Sequence, residues 1–383
     1  MALPNANWNY PTAIRFGAGR IAELPQACRE LGIERPLLVT DPGLAAMPMV
    51  RATLEGLGGA ALFSAIHANP VGDDVEAGLA AYRSGDHDGV IAFGGGSALD
   101  AGKVIAFMSG QTRPLWDFED REDWWSRADP VGIAPVIAVP TTAGTGSEVG
   151  RAGVILDEQA GVKKIIFHPK MMPGLVIMDP ELTVGLPPHV TAATGMDALS
   201  HCIEAYCAPG FHPMADGIAA EGVMLVRQWL PRAVEDGHDL EARGHMLVAA
   251  AMGATAFQKG LGGMHALSHP IGALLGTHHG LTNAVLMPYV LAFNRSAIED
   301  RVGRLAGYAG LEPSFEAFLA WILELRARLA IPHGLAELGV AADRLDRIAR
   351  MAEADPSAGG NPRPFREAEA RQVLESALEG RVS

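Results

Sequence analysis

The stretch DGVIAFGGGS, from Asp88 to Ser97, is a short apolar run that ends in three glycines. Such a run predicts a buried strand, and the glycines predict a sharp turn into a helix opened by Ala98-Leu99-Asp100. Consecutive glycines let the backbone approach an anion, and a helix N-terminus offers free N–H groups at the positive end of its dipole. Gly95, Gly96 and Ser97, with Asp100 close behind, are therefore read as a diphosphate loop. A tight strand-to-helix turn, with Ser97 as N-cap and Asp100 as its box-like partner, is the plainer reading, and the two are compatible. The loop is not the ordinary dinucleotide fingerprint. Leu99 stands where GxGxxG needs its third glycine, and no acid ends a strand about 20 residues further on.

Working outward, three more runs read as buried strands: Arg35–Asp41, the start of Gly132–Glu148, and Leu175–Pro180. Ile21–Leu31 and Val75–Ser84 carry helical spacing between them. Strand, loop and helix in alternation predict a mostly parallel sheet with helices on its faces. Asp41 ends a strand, where a carboxylate accepts both ribose hydroxyls of NAD and repels the extra phosphate of NADP; Asp-Pro-Gly is also a common turn starter. The loop PTTAGTGSE, Pro140–Glu148, sets Thr141, Thr142, Thr145 and Ser147 beside two glycines, a composition suited to phosphate or ribose contacts. Near Leu186-Pro-Pro-His189 the pattern changes. Val190–Tyr206, Ala215–Ala233, Leu240–Lys259 and Phe315–Leu329 are all helical in spacing, and no convincing strand follows. The expected division is an α/β domain over residues 1–185 and an all-α domain over 186–383.

The chain has 383 residues, 49% of them apolar, and a formal net charge of −14. Chains of this length hold two or three domains of roughly 150 residues. The acidic balance argues against nucleic-acid or anionic-membrane partners, which want clustered Lys and Arg. The opening MALPNANWNYPTAIRF shows no basic patch followed by an apolar stretch, and three cysteines make no disulfide framework. A reducing cytoplasm is the expected compartment. Of 13 histidines, eight lie between His201 and His279.

Asp197 and His201 are spaced i, i+4, as are His265 and His269, so a helix puts each pair on one face. His279 follows in Thr277-His278-His279-Gly280. A carboxylate and imidazoles without thiolate suit Fe2+, Zn2+ or Mn2+. One such histidine alone reads as packing; two pairs plus a third cluster favour a metal set, since helices from distant sequence converge on ions in bundles.

At this point the chain resembles the iron-containing (group III) alcohol dehydrogenases. The resemblance rests on GGGSALDAGK (Gly94–Lys103), PTTAGTGSEV (Pro140–Val149), ATGMDALSHCIEAY (Ala193–Tyr206) and GMHALSHPIGALLGTHHG (Gly263–Gly280), and runs from Phe16 to Arg363. It implies a dehydroquinate synthase-like architecture, a dinucleotide-binding α/β domain and a helical domain with the active site in the cleft between. It implies Asp197, His201, His265 and His279 as metal ligands and His269 as a proton carrier near the substrate. It implies NAD contacts at Asp41, Asn69, Gly95, Gly96, Ser97, Thr141, Thr142, Thr145 and Lys163, with Lys164 in reserve. The implied reaction is hydride transfer between NAD and a metal-bound primary alcohol or hydroxy acid, or the reduction of the corresponding aldehyde. Fe2+ is the expected metal and a homodimer the expected assembly. Two departures stand out. The family often has Pro where His278 stands, which sets His278 beside His279 as a rival ligand. It often has Thr where Gly150 stands, and Gly150-Arg151-Ala152-Gly153 reads as a widened pocket whose Arg151 attracts an anionic substrate. Glycerol dehydrogenase-like and dehydroquinate synthase-like enzymes are the neighbouring alternatives on the same scaffold. A non-catalytic NAD or metal sensor is the alternative from another class.

Overall fold

The computed structural model describes residues 11–382. The opening segment read above for a targeting signal lies, up to residue 10, outside the described residues. The strands are β1 (Ala13–Phe16), β2 (Pro36–Val39), β3 (Ala61–Phe63), β4 (Gly89–Gly94), β5 (Val136–Pro140), β6 (Ala152–Asp157), β7 (Val162–Phe167) and β8 (Leu175–Met178). The helices interleaved with them are α1 (Leu24–Glu30), α2 (Pro42–Ala45), α3 (Pro48–Gly56), α4 (Gly72–Ser84) and α5 (Gly96–Met108). After them come α6 (Pro188–Cys207), α7 (Pro213–Glu235), α8 (Leu240–Ala256), α9 (Gly263–Leu275) and α10 (His279–Tyr308). The chain closes with α11 (Phe315–Arg328), α12 (Leu345–Ala354) and α13 (Glu367–Glu379).

The chain divides into two compact units. The first holds Pro11–Thr142 and Gly146–Gly185, and its sheet runs β1-β8-β5-β4-β2-β3. All five pairings are parallel. β2, β4, β5 and β8 are buried along their whole length, as parallel strands with both faces covered must be. Leu38, Ile91, Phe93, Ile137, Val139 and Ile177 form part of the resulting core. The chain leaves β2 outward to β3 and then returns to β4 on the other side, so the strand order reverses between β2 and β4. Ligand loops of doubly wound sheets gather beyond the strand ends at such a reversal. Asp41 and Gly95 follow those two strands.

The sequence reading lacks three features of this unit. β1 and β3 are short and largely exposed, so neither has the apolar run of the central strands. β6 and β7 form an antiparallel hairpin beside the parallel sheet. Small residues stand at its start. They let the hairpin approach α5, because a Cβ on Gly153 would lie 2.5 Å from Val104 Cγ2 and 2.9 Å from the Asp100 carbonyl oxygen.

The second unit holds Ala143–Thr145 and the chain from Leu186 onward. Residues 143–145 thus pack with the helices and not with the α/β fold, against expectation. A Cβ on Gly144 would sit 2.8 Å from Thr194 Cβ on α6. Among the described residues beyond Gly185 there is no strand. α6, α7 and α8 pack closely through glycines: a Cβ on Gly195 would meet Leu230 Cδ1 of α7 at 2.2 Å, one on Gly222 would meet Cys202 Sγ of α6 at 2.5 Å, and one on Gly253 of α8 would meet the Ala198 carbonyl oxygen of α6 at 3.0 Å. No described helix is long and apolar enough to cross a membrane.

Candidate metal centre and cofactor loops

The glycine loop is shaped by close approach. Gly94 has φ +147°, which L side chains rarely adopt, and a Cβ there would lie 2.8 Å from Ala98 Cβ. Gly95 caps α5, and a Cβ on it would press on Thr142 at 3.3 Å. Register pairs Gly94 with Pro140, so the loops after β4 and β5 run side by side, and Thr141 N–H donates to the Gly94 carbonyl at 3.0 Å. Gly95, Gly96, Thr141 and Thr142 are therefore neighbours. Asp41 caps the one-turn helix α2, its Oδ1 accepting from Leu44 N–H at 3.0 Å, which is the turn-starter reading; Leu44 Cδ1 in turn approaches the Gly94 position at 3.2 Å.

Ser97 and Asp100 do not form the capping pair read from sequence, because α5 starts at Gly96 and puts both inside the helix. Ser97 Oγ donates instead to the Ala68 carbonyl, next to Asn69. Asp100 accepts from Ser147 Oγ and, at 3.0 Å, from Val154 N–H. Ser97 thus ties α5 to the loop before α4, and Asp100 ties it to the loop after β5 and to the β6–β7 hairpin. The hairpin is moored beside Asn69 by the bond from Leu156 N–H to the Pro70 carbonyl, 2.8 Å. Lys163 lies across from Leu156 in it. Lys164 points to the opposite face, where it donates to Asp157 at 2.7 Å and sits 5.0 Å from the Trp116 ring centroid. Thr145 belongs to the helical unit.

Within the helical unit, three elements bring one carboxylate and three imidazoles together. α6 carries Asp197 and His201 one turn apart, α9 carries His265, and α10 begins at His279. One ligand atom from each of the four lies within 4.8 Å of the others. His278 is not in this set; its exposed ring caps α10, Nδ1 accepting from Leu281 N–H at 3.4 Å. Burial pushes the His201 imidazole down to about 4, against the pull of Asp197, so it is neutral at pH 7 and keeps a lone pair. Burial alone would raise Asp197, but His201, His279 and His265 and a bond from Asn283 hold its carboxyl well below the usual range. Burial opposes charge on His265, and the Glu204 carboxylate beside it more than compensates, raising its basicity. Cys202 and Cys207 lie outside this set, and burial pushes both thiols up to about 12. An N3O set of this kind fits a divalent iron, zinc or manganese ion.

His269 stands one turn beyond His265 and outside the four-atom set. Its Nδ1 pairs with Asp355 Oδ2 at 2.8 Å, and its ring stacks on that of His279 with centroids 5.4 Å apart. Three polar residues at this centre were not singled out from sequence: Glu204, Asn283 and Asp355. Glu204 follows His201 by three and Asn283 follows His279 by four, so helical spacing from a ligand was the available signal for both. Asp355 lies 86 residues from its partner and had none.

A chain that carries a candidate metal centre in a helical unit and a glycine loop in an α/β unit has the features of a metal-dependent dinucleotide oxidoreductase. The family model for iron-containing alcohol dehydrogenase matches residues 11–180, and that for the family's C-terminal region matches residues 191–378. The chain belongs to the iron-containing alcohol dehydrogenase family. It is 40% identical to a 4-hydroxybutyrate dehydrogenase of Cupriavidus necator, over 96% of this chain and 99% of that protein. The crystal structure of a 1,3-propanediol oxidoreductase matches with TM-score 0.93 and 34% identity, covering 97% of this chain and 100% of that one. A sulfoacetaldehyde reductase from Bifidobacterium kashiwanohense, solved with NAD+, matches with TM-score 0.89 and 30% identity, covering 97% and 99%.

Proposed function

We propose that this enzyme is an NAD(H)-linked alcohol dehydrogenase that interconverts short ω-hydroxy acids and their aldehydes, with a divalent cation, Fe2+ foremost, held by Asp197, His201, His265 and His279. The observation that carries this reading is the convergence of those four donors within 4.8 Å. A cation in such a set supplies Lewis acidity toward an alcohol or carbonyl oxygen, and nicotinamide supplies the hydride acceptor or donor. The chain's residues do the rest. Asp355 holds the Nδ1 side of His269, which leaves Nε2 as the nitrogen that takes the alcohol proton and passes it on. Gly95, Gly96, Thr141 and Thr142 offer backbone N–H groups and hydroxyls to the dinucleotide phosphates, and Asp41 favours NAD over NADP. Asn69, Thr145 and Lys163 complete the proposed cofactor contacts, with Ser97, Asp100 and Ser147 shaping the loops.

The acid in the substrate is supported by the 4-hydroxybutyrate and sulfoacetaldehyde enzymes among the similar proteins. Arg151, 5.6 Å from the Phe167 ring centroid, is the proposed cationic attractor. A homodimer is the proposed assembly. The test is NADH consumption by anaerobically purified, Fe2+-loaded protein. kcat/KM for a four-carbon semialdehyde acid is expected to exceed that for the neutral aldehyde of equal length by tenfold or more, and Arg151→Ala is expected to erase the gap. Equal rates in the unaltered enzyme would sink the substrate class, and an absence of turnover with any aldehyde would sink the activity.

A further inference from the structure

The residues around the four donors are arranged as carefully as the donors. Glu204 is buried on α6 and uses both carboxylate oxygens. Oε1 accepts from Met264 N–H at 2.7 Å, one of the first N–H groups of α9. Oε2 meets His265 Nδ1 at 2.6 Å. Gly262 makes this reach possible, since a Cβ there would lie 3.1 Å from Oε1. With the Nδ1 proton turned to a carboxylate, Nε2 is the nitrogen that presents a lone pair to the other donors. Asn283 closes the set from α10. Its Nδ2 donates to Asp197 Oδ1 at 2.9 Å and lies 3.1 Å from His279 Nε2 and 3.2 Å from His265 Nε2. One NH2 group has two hydrogens for these three acceptors, so it is shared among them. Its Oδ1 is buried with no hydrogen-bond partner, an arrangement that ordinary packing does not retain without cause.

We propose that Glu204 and Asn283 are positioning residues of the metal centre: Glu204 fixes the tautomer and orientation of His265, and Asn283 holds the Asp197 carboxylate turned toward the imidazoles. The inference rests on the metal set proposed above. Groups that orient metal ligands in this way typically carry 10–100-fold in metal affinity.

The test measures Zn2+ binding to chelator-stripped protein by competition with a chromophoric chelator, without turnover. One tight equivalent in the unaltered chain is the prior requirement; its failure would overturn the metal set itself. Glu204→Gln keeps size and an acceptor for Met264 but removes the charge, and Asn283→Leu keeps size and removes the amide. Each is expected to weaken Zn2+ affinity at least tenfold while the metal-free protein melts as a folded chain. Glu204→Asp, which keeps the charge at shorter reach, is expected to fall between the unaltered chain and Glu204→Gln, and it reads the effect if Glu204→Gln does not fold. The Co2+-loaded variants are expected to show altered visible absorption bands. Folded variants that bind Zn2+ as tightly as the unaltered chain, or that lose thermal stability with no change in affinity, would overturn the proposal and leave the two residues as packing.

Discussion

Glu148 is a buried carboxyl that the metal chemistry does not use. It sits just after the Thr141–Ser147 hydroxyls, 1% exposed, with Oε1 lacking a hydrogen-bond partner. Burial pushes its carboxyl up from 4.5 to about 7; bonding to its own backbone and the Lys103 charge oppose this only in part. Lys103 is itself buried and held down by desolvation, and it donates to the Gly150 and Ala152 carbonyls. The sign of the consequence follows from proton counting. Between pH 4.5 and about 7 the folded chain keeps a proton on Glu148 that the unfolded chain has lost, so this group makes stability fall as pH rises through that window. The full effect is on the order of 3 kcal/mol. Glu148→Gln removes the titration, so the variant is expected to gain on the unaltered chain between pH 5 and pH 8 in urea-denaturation midpoints. A gain by the unaltered chain instead would mean that Glu148 is ionised and paired with Lys103 in the fold.

At the scale of elements, the metal set depends on how closely the first turn of α10 lies on α6. Gly280 follows His279 directly, and a Cβ on it would meet the Ala193 carbonyl oxygen at 2.4 Å and Asp197 Cβ at 2.9 Å. Backbone cannot yield as a side-chain tip can. Gly280→Ala is therefore expected to push the helix start outward, costing about 1–3 kcal/mol as overpacking does and weakening metal binding at least tenfold. A variant that melts and binds metal normally would show that α10 can shift without disturbing His279. This contact also marks the limit of sequence reading. The i, i+4 pairs Asp197/His201 and His265/His269 were legible because helical periodicity is local, and the central strands because they are buried on both faces. The hairpin β6–β7 was not, because VKKIIF in β7 breaks strict alternation and Ala152-Gly153 opens β6 without bulk. Which histidine after Thr277 enters the set, and that Ser97 and Asp100 lie inside α5, depend on helix starts, which composition places only to within a few residues.

For the whole molecule, the division into two units separates the two proposed sets of ligand-binding residues. The four proposed metal donors all lie in the helical unit, whereas the proposed cofactor residues Asp41, Gly95, Gly96, Thr141, Thr142 and Lys163 lie in the α/β unit. Each unit has its own buried apolar cluster, one built on Leu199, Leu230, Leu267 and Leu286, the other on Leu38, Phe93 and Ile177. Chains with separate cores need not unfold in one step, and a ligand stabilises only the structure that binds it. A ligand at 100 times its Kd adds about 2.7 kcal/mol to the unit that holds it. Calorimetry of the metal-free protein is therefore expected to show two transitions. Zn2+ or Fe2+ is expected to raise the one belonging to the helical unit, and NAD+ the one belonging to the α/β unit. His265→Ala should abolish the metal-induced shift and leave the NAD+-induced shift in place, because His265 contributes to one set only. A single transition that both ligands raise, with both shifts lost in His265→Ala, would show that the units unfold as one body and that ligand binding in each depends on the other.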